Sequence, residues 1–204
     1  MGSYVVLKKV KAFQQDVESY VKYRLMKKPL RPMFQWVKDN NGHGCVGVEI
    51  GVWKGDNAVN VLRNMDVGRL YLIDPYRYYY DGLRGPGLTF DTVVPPEDVK
   101  RCAIDVLKGF GDRVVCLFDV GSDDATGLVP SGLDFVYIDG DHSYGQVRRD
   151  IVNYFPKVRC GGVFGGHDYT LKYPGVIWAV SEFIDRFGLV LFHDDGDWWI
   201  VKEG

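Results

Sequence analysis

The sequence predicts an α/β fold: a doubly wound, mostly parallel sheet of seven strands that ends in an antiparallel hairpin, with an N-terminal helical extension. From residue 45 onwards, short apolar runs alternate with helical stripes, which is typical of a parallel sheet covered by helices on both faces. Only four residues, Asp194–Asp197, separate the last two apolar runs, so those two strands are predicted to pair antiparallel.

The predicted extension covers residues 1–44 and precedes a main domain at residues 45–204. Its apolar residues recur at spacings of three and four, as on one face of a helix: Val10, Phe13, Val17, Val21 and Leu25. Pro29 and Pro32 are predicted to end that helix. Because the stripe has no partner in its own segment, we expect it to cap the cofactor edge of the main domain or to contribute to a homodimer.

The main domain contains seven apolar runs that we interpret as strands, at residues 45–50, 69–73, 113–118, 133–138, 162–165, 189–193 and 198–202. Helices are predicted between them at residues 56–65, 95–107, 144–154 and 176–187. Residues 76–94 show no periodicity and are predicted to form a long functional loop. The tyrosine run at residues 78–80, with Trp53, would suit an acceptor pocket, a packed lid or a partner interface.

Composition narrows the functional classes. The 204 residues include 25 basic and 27 acidic side chains, a balance that argues against a general nucleic-acid or membrane-surface binder. No segment reaches the roughly 20 apolar residues that cross a bilayer, and the N-terminus lacks a signal-peptide pattern. The four cysteines form no CxxC pair. We therefore expect a cytoplasmic protein that acts on a small molecule, with no membrane or nucleic-acid partner.

Polar clusters follow five of the predicted strands, in the order 49–55, 74–76, 119–124, 139–144 and 166–169. Ligands of doubly wound folds bind outside the carboxyl ends of the strands. In the first cluster Gly51 and Gly55 lie four residues apart after Glu49, which is not the GxGxxG pattern of dinucleotide-binding proteins. An acid there repels phosphate and suits a cationic amino-acid or sulfonium ligand. Asp74 ends the second strand and can accept the ribose hydroxyls of an adenosine ligand, although both acids could simply cap strand ends.

Four segments together resemble the class I S-adenosylmethionine-dependent methyltransferases: VEIGVWKG at 48–55, LIDP at 72–75, FVYIDGDHSY at 135–144 and GGVFGGHDY at 161–169. They are most similar to the branch of metal-dependent O-methyltransferases of catechols and macrolide sugars. The resemblance covers roughly residues 45–202 and implies the Rossmann-like methyltransferase fold. It also implies S-adenosylmethionine as cofactor and a small hydroxylated molecule as acceptor.

The resemblance carries site residues over by position. The cofactor-binding set that it implies is Glu49, Gly51, Gly55, Asp74, Ser122 and Asp139. The metal-binding set is Asp139, His167 and Asp168, for Mg²⁺, Mn²⁺ or a similar divalent cation. His167 departs from the usual oxygen ligand, and imidazole suits Mn²⁺, Fe²⁺ or Zn²⁺ better than Mg²⁺.

The residues themselves also favour chemistry at the ends of the fourth and fifth strands. Carboxylates packed together repel one another, so either a cation or shifted pKa values are expected among Asp139, Asp141, His142, His167 and Asp168. A cation would lower the pKa of an acceptor hydroxyl. Without one, His142 or His167 is the candidate general base, and Asp139 completes the predicted catalytic set. A plainer interpretation makes Asp139 and Asp141 helix caps and His142 a surface residue.

Three other functions remain open from the sequence. A nicotinamide-dependent oxidoreductase would use a similar sheet, but the spacing of the two glycines and the terminal hairpin speak against it. A metal-dependent hydrolase would use the Asp and His cluster and leave the glycine loop structural. A non-catalytic protein would bind an adenosine ligand and have a degenerate acceptor site.

Overall fold

The computed structural model describes residues 29–41, 43–77 and 94–204. Within them, seven strands form one sheet in the order β3-β2-β1-β4-β5-β7-β6. The strands are β1 (Cys45–Ile50), β2 (Val67–Asp74), β3 (Val114–Phe118), β4 (Leu133–Ile138), β5 (Val158–Gly166), β6 (Phe192–Asp194) and β7 (Asp197–Val201). Strands β1 to β5 pair in parallel, and β7 pairs antiparallel with both β5 and β6. The predicted fold class is confirmed.

Helices cover both faces of the sheet, and each face has its own apolar core. The helices are α1 (Pro32–Asn40), α2 (Asp56–Asn64), α3 (Pro96–Leu107), α4 (Ser122–Ala125), α5 (Tyr144–Tyr154) and α6 (Pro174–Phe187). Helices α1 to α3 pack on one face of the sheet, and α4 to α6 pack on the other. Among the described residues, no helix has the length and apolar character needed to cross a membrane.

Helix α1 was not predicted, because Pro32 was interpreted as a helix breaker. Proline is well suited to the first turn of a helix, where its missing N–H would have no partner in any case, and here Pro32 starts α1. Met33, Phe34 and Val37 on this helix are fully buried. The Phe34 ring packs edge-on against Phe135 of β4. The predicted stripe at residues 10–25, and with it the proposed cap or homodimer contact, lies outside the described residues.

The terminal hairpin is tighter than the predicted four-residue turn. Only Asp195 and Gly196 connect β6 to β7, and both have positive φ angles, 45° and 81°. Two left-handed residues in succession match the twist of a two-residue hairpin. Strand β6 is correspondingly shorter than the predicted 189–193 segment, and Asp197 is the first residue of β7 rather than a turn residue.

Buried Asp197 fastens α1 to the sheet. Its side chain is fully buried, and it accepts hydrogen bonds from Tyr137 Oη at 2.7 Å and from the backbone N–H of Met33 at 3.1 Å. The second bond satisfies one of the free N–H groups at the start of α1. The residue just before this helix, Arg31, is thereby held beside the carboxyl end of β4.

Candidate functional site

A cavity of about 500 Å³ opens at the carboxyl ends of the parallel strands. It lies where β1 and β4 adjoin, the point at which the strand order reverses and where ligands of such sheets bind. Seven of the predicted site residues line it: Glu49, Gly51, Asp74, Ser122, Asp139, His142 and Asp168. Gly55 and His167 are not on its wall. Trp53 is on the wall, whereas the tyrosine run at residues 78–80 lies outside the described residues.

The described wall of the cavity is strongly acidic. Its basic side chains are Arg31 and Arg77, with His142. Nine carboxylates share the wall: Glu49, Asp56, Asp74, Asp123, Asp124, Asp139, Asp141, Asp150 and Asp168. Such a field attracts cationic ligands and repels the pyrophosphate of a dinucleotide.

Gly51 allows the loop after β1 to cross the sheet edge. Its φ is +87°, and a Cβ atom built there would stand 2.1 Å from the carbonyl oxygen of Asp139. No other residue fits without moving the backbone. Gly55 also has a positive φ, 83°, and it occupies the N-cap position of α2. The glycine spacing is therefore set by one close backbone approach and one helix start.

Asp74 joins the loops that follow β1 and β2. One carboxylate oxygen accepts the N–H groups of Val52 at 2.9 Å and Trp53 at 3.0 Å, and the other accepts the N–H of Tyr76 at 2.8 Å. Burial raises the pKa of Asp74, and these three hydrogen bonds oppose that rise. A carboxylate has about four lone-pair sites, so roughly one remains for a ligand hydroxyl.

Glu49 is a buried acid with one oxygen left over. The side chain is 2% exposed, and Oε1 accepts a hydrogen bond from the Asn57 amide at 3.1 Å. Oε2 has no hydrogen-bond partner among the described residues. Burial raises the pKa of Glu49 to about 8, although the Asn57 amide opposes the rise. The group is therefore mostly protonated at neutral pH and would ionise beside a positively charged ligand.

Ser122 belongs to a second buried polar group, which includes an acid that the sequence analysis did not single out. The Ser122 hydroxyl donates to Asp150 Oδ1 at 2.6 Å, and the Gln146 amide donates to both residues at 3.0 Å. Asp150 Oδ2 has no partner within the described part of the chain. Burial raises the pKa of Asp150 to about 6. An acid between Val147 and Ile151, on the apolar face of a predicted helix, was the sequence feature that could have revealed it.

At the other end of the cavity, Asp139, His142 and Asp168 lie together. His142 Nε2 is 2.8 Å from Asp168 Oδ2 and 4.0 Å from Asp139 Oδ1, and the imidazole stacks on the Tyr173 ring with centroids 4.4 Å apart. Burial alone would lower the pKa of His142, but the two carboxylates raise it to about 9. Conversely, burial would raise the pKa of Asp168, but His142 and His167 hold it well below its usual range.

Arg31 completes this cluster and was absent from the sequence prediction. Its Nη1 donates to Asp139 Oδ2 at 2.9 Å and to Tyr137 Oη at 2.5 Å. Burial would lower the pKa of Arg31, but Tyr137 and Asp139 raise it, so the guanidinium stays charged. A basic residue in an unassigned segment, far from Asp139 in sequence, gave no recognisable pattern.

The chain bends at Asp168, whose φ is +61°. At this bend the His167 imidazole lies beside the Asp168 carboxylate, with Nδ1 3.3 Å from Asp168 Oδ1 and 3.8 Å from Asp139 Oδ1. Both histidines therefore lie beside the two acids, but only His142 is on the cavity wall. The cap of α5 is Ser143, which accepts the N–H of Gln146, so neither Asp139 nor Asp141 caps that helix.

The donor set does not fit a resident divalent cation. One oxygen or nitrogen atom from each of Asp139, His142 and Asp168 lies within 4.8 Å of the others, which is close enough for a shared ion. However, each carboxylate already has a cation of the protein beside it: Arg31 at Asp139 and His142 at Asp168. An ion would have to displace the His142 proton and share Asp139 with the guanidinium.

Comparison with known proteins supplies a family and a fold. A methyltransferase domain family model matches residues 48–169 of the chain. No curated protein matches.

Several solved structures share the fold. The O-methyltransferase NovP is 20% identical with a TM-score of 0.63, covering 86% of this chain and 79% of NovP. The O-methyltransferase TomG of Streptomyces achromogenes, solved with S-adenosylmethionine, is 13% identical with a TM-score of 0.59, covering 92% and 89%. A precorrin 8W decarboxylase from Methanobacterium thermoautotrophicum is 15% identical with a TM-score of 0.56, covering 84% and 87%. At these identities the likeness shows the fold alone.

Proposed function

The chain belongs to the methyltransferase domain family, and we propose that it transfers the methyl group of S-adenosylmethionine to a hydroxyl group of a small acceptor. The observation that carries this proposal is one acidic cavity with two different ends. One end holds a buried acid, Glu49, whose Oε2 has no hydrogen-bond partner among the described residues, and the other holds the cluster around His142, in which each acid has a basic side chain beside it. The first end suits a cationic cofactor, and the second suits an uncharged acceptor.

The cofactor would lie along the β1, β2 and β3 ends. Glu49 would accept a hydrogen bond from the ammonium group of its methionine moiety, the remaining lone-pair site of Asp74 would accept a ribose hydroxyl, and Asp150 Oδ2 would accept the exocyclic amine of adenine. Each of these acids has unused acceptor capacity on or at the cavity wall. TomG, solved with S-adenosylmethionine, supports the choice of cofactor.

The acceptor would lie at Asp139, His142 and Asp168. A lone pair of its hydroxyl oxygen forms the bond to the methyl carbon, and the pair of the breaking S–C bond returns to sulfur. Asp139 Oδ1, the oxygen that Arg31 does not hold, takes the hydroxyl proton. With a pKa of about 9, His142 is mostly an imidazolium at neutral pH, so it orients the acceptor as a donor rather than acting as the base.

Positioning would supply most of the acceleration, because the acceptor oxygen must stand in line with the S–C bond. O-methylation is the finer part of the proposal, and it is favoured by carboxylates that can accept a hydroxyl proton. NovP and TomG are both named O-methyltransferases. The acidic wall speaks against a nicotinamide cofactor, whose pyrophosphate it would repel.

Calorimetry with S-adenosylhomocysteine and NAD tests the cofactor directly. We expect the first to bind and to raise the melting temperature by mass action, and we expect NAD not to bind. Asp74→Ala should lose most of that rise. Asp66→Ala is the matched control, because Asp66 is exposed at the opposite end of β2 and pairs with His43. Binding of NAD without binding of S-adenosylhomocysteine would overturn the proposal.

Transfer is then measured with methyl-labelled S-adenosylmethionine and a panel of catechols, other phenols and sugars. Label in an ether linkage of the product supports O-methylation. Methylation of no panel member, together with hydrolysis of acetate esters of the same phenols and sugars, would favour the hydrolase instead.

A further inference from the structure

Two acids on the acceptor side of the cavity are each paired with a basic side chain of the chain itself. Arg31 Nη1 stands 2.9 Å from Asp139 Oδ2, and His142 Nε2 stands 2.8 Å from Asp168 Oδ2. The third acid nearby, Asp197, lies behind the wall and is satisfied by Tyr137 and the Met33 N–H. The side chain of Arg31 is only a quarter exposed, so water screens this pair weakly.

Arg31 is held in that position from three directions. It occupies the N-cap position of α1, and two residues later the backbone N–H of Met33 donates to Asp197. Its guanidinium donates to Tyr137 Oη, and Tyr137 Oη donates in turn to Asp197. The guanidinium carbon also lies 5.5 Å from the centre of the Tyr137 ring. A cation fixed by so many contacts is preorganised and does not need to be recruited from solution.

We propose that Arg31 takes the place of a divalent cation at Asp139, so that methyl transfer in this protein proceeds without a metal ion. Arg31 is a positioning residue in this scheme: it holds Oδ2 of Asp139 and thereby orients the other oxygen, Oδ1, toward the acceptor. The balanced step is unchanged, with the acceptor proton passing to Asp139 and the S–C electron pair to sulfur. The inference rests on the proposed function for its catalytic part, but its ion-binding part can be tested without turnover.

The first experiment measures Mn²⁺ binding to the full chain at pH 8 by electron paramagnetic resonance. The wild-type protein should bind Mn²⁺ weakly, because the Arg31 guanidinium already occupies one oxygen of Asp139. Arg31→Met removes the charge and keeps an unbranched side chain of similar reach, and we expect its Mn²⁺ affinity to rise about tenfold, as when an opposite charge beside a carboxylate is lost. Arg31→Lys keeps the charge and should remain like the wild type.

Arg159→Met is the matched control. Arg159 forms a similar ion pair, with Nε 2.8 Å from Asp134 Oδ1, and neither residue lines the cavity. The Mn²⁺ affinity of this variant should not change. A double variant, Arg31→Met with Asp168→Ala, should lose the gained binding, which locates the ion at the cluster. Tight binding of Mn²⁺ to the wild type, or no gain in Arg31→Met, would overturn the inference.

The second experiment measures transfer with and without excess chelator. Wild-type activity should survive chelation, Arg31→Met should lose most of its activity, and added Mn²⁺ should restore part of it, whereas Arg31→Lys should retain activity without metal. Loss of wild-type activity in chelator, with S-adenosylhomocysteine binding intact, rejects the inference alone. Failure of S-adenosylhomocysteine to bind rejects the proposed function instead.

Discussion

The two ends of the cavity treat buried carboxylates in opposite ways. At the cofactor end, Glu49 has one oxygen without a partner, and burial raises its pKa to about 8. At the acceptor end, Asp168 is partly buried as well, but the two neighbouring histidines hold its pKa well below its usual range. Both groups are carboxylates on the same wall. The difference lies in what stands beside them.

This contrast indicates the charge of the ligand that each end of the cavity would bind. An acid that burial keeps protonated gains a favourable interaction when a cation arrives, so the Glu49 end is suited to a positively charged ligand. An acid that already has a cationic partner gains little from a second cation. The same physical rule therefore argues for a sulfonium cofactor at one end and against a metal ion at the other.

The largest expected effect comes from Asp139, which tests whether the acceptor end performs the chemistry. Asp139→Asn keeps the shape of the side chain and removes the proton acceptor, so transfer should fall about 1000-fold, within the usual range for a general base. Binding of S-adenosylhomocysteine, followed by calorimetry, should change little. The control is Asp185→Asn, an exposed acid on α6. A variant with near wild-type turnover would remove Asp139 from the mechanism.

His142 should make the stability of the protein depend on pH. Its pKa is about 9 in the folded state, against about 6.5 when unfolded, so the folded state binds the extra proton between these values. The stabilisation is fully present below pH 6.5 and is lost as the pH rises through 9. It amounts to about 3 kcal/mol. Urea unfolding of the wild type and of His142→Asn at pH 6 and pH 9.5 measures this contribution. If the free energy of unfolding changes equally between the two pH values in both proteins, the pairing of His142 with Asp168 does not stabilise the fold.

Asp197 tests which contacts hold α1 and Arg31 at the acceptor end of the cavity. Asp197→Asn removes a buried acceptor of two hydrogen bonds and leaves Tyr137 Oη and the Met33 N–H competing for one amide oxygen. We expect the free energy of unfolding to fall by about 2 kcal/mol. Because Asp197 holds the Tyr137 hydroxyl that accepts from Arg31, Mn²⁺ affinity should also rise slightly as the guanidinium loosens. Unchanged stability in urea would show that α1 is held by its apolar contacts alone.

The smallest expected effect comes from Glu49, at the cofactor end of the cavity. Glu49→Gln cannot ionise, so S-adenosylhomocysteine should bind about tenfold more weakly above pH 8, where wild-type Glu49 is ionised even without ligand, a cost of about 1.4 kcal/mol. Without ligand the variant should be more stable than the wild type above pH 8 and equal to it near pH 4. The reason is that ionising a buried acid costs stability as the pH rises from 4.5 through 8. A variant that binds as tightly as the wild type would argue that the ligand contacts other groups.

The sequence by itself determined the sheet, the edge at which the cavity opens and most of the side chains that line it. Short apolar runs, helical stripes, glycines in loops and acids directly after strands are local features, and each can be recognised from spacing along the chain. Gly51 is an example: its spacing from Gly55 already distinguished this loop from the GxGxxG pattern, whereas its close approach to the Asp139 carbonyl appears only in the structure. The boundaries of β6 and the start of α1 were not predicted correctly. At α1 the local rules allow two outcomes, since proline can either end a helix or begin one.

Only the tertiary structure decided how the charges are balanced. Arg31 reaches Asp139 across 108 residues of sequence, and Asp197 reaches Tyr137 across 60. No local pattern connects these partners, yet they determine which oxygens of the carboxylates are already bonded within the protein. Electrostatic energy depends on distance in space and on exclusion of water, and neither can be obtained from spacing along a chain. The sequence thus indicated most of the acids of the site, whereas the fold decided which basic side chain pairs with which acid.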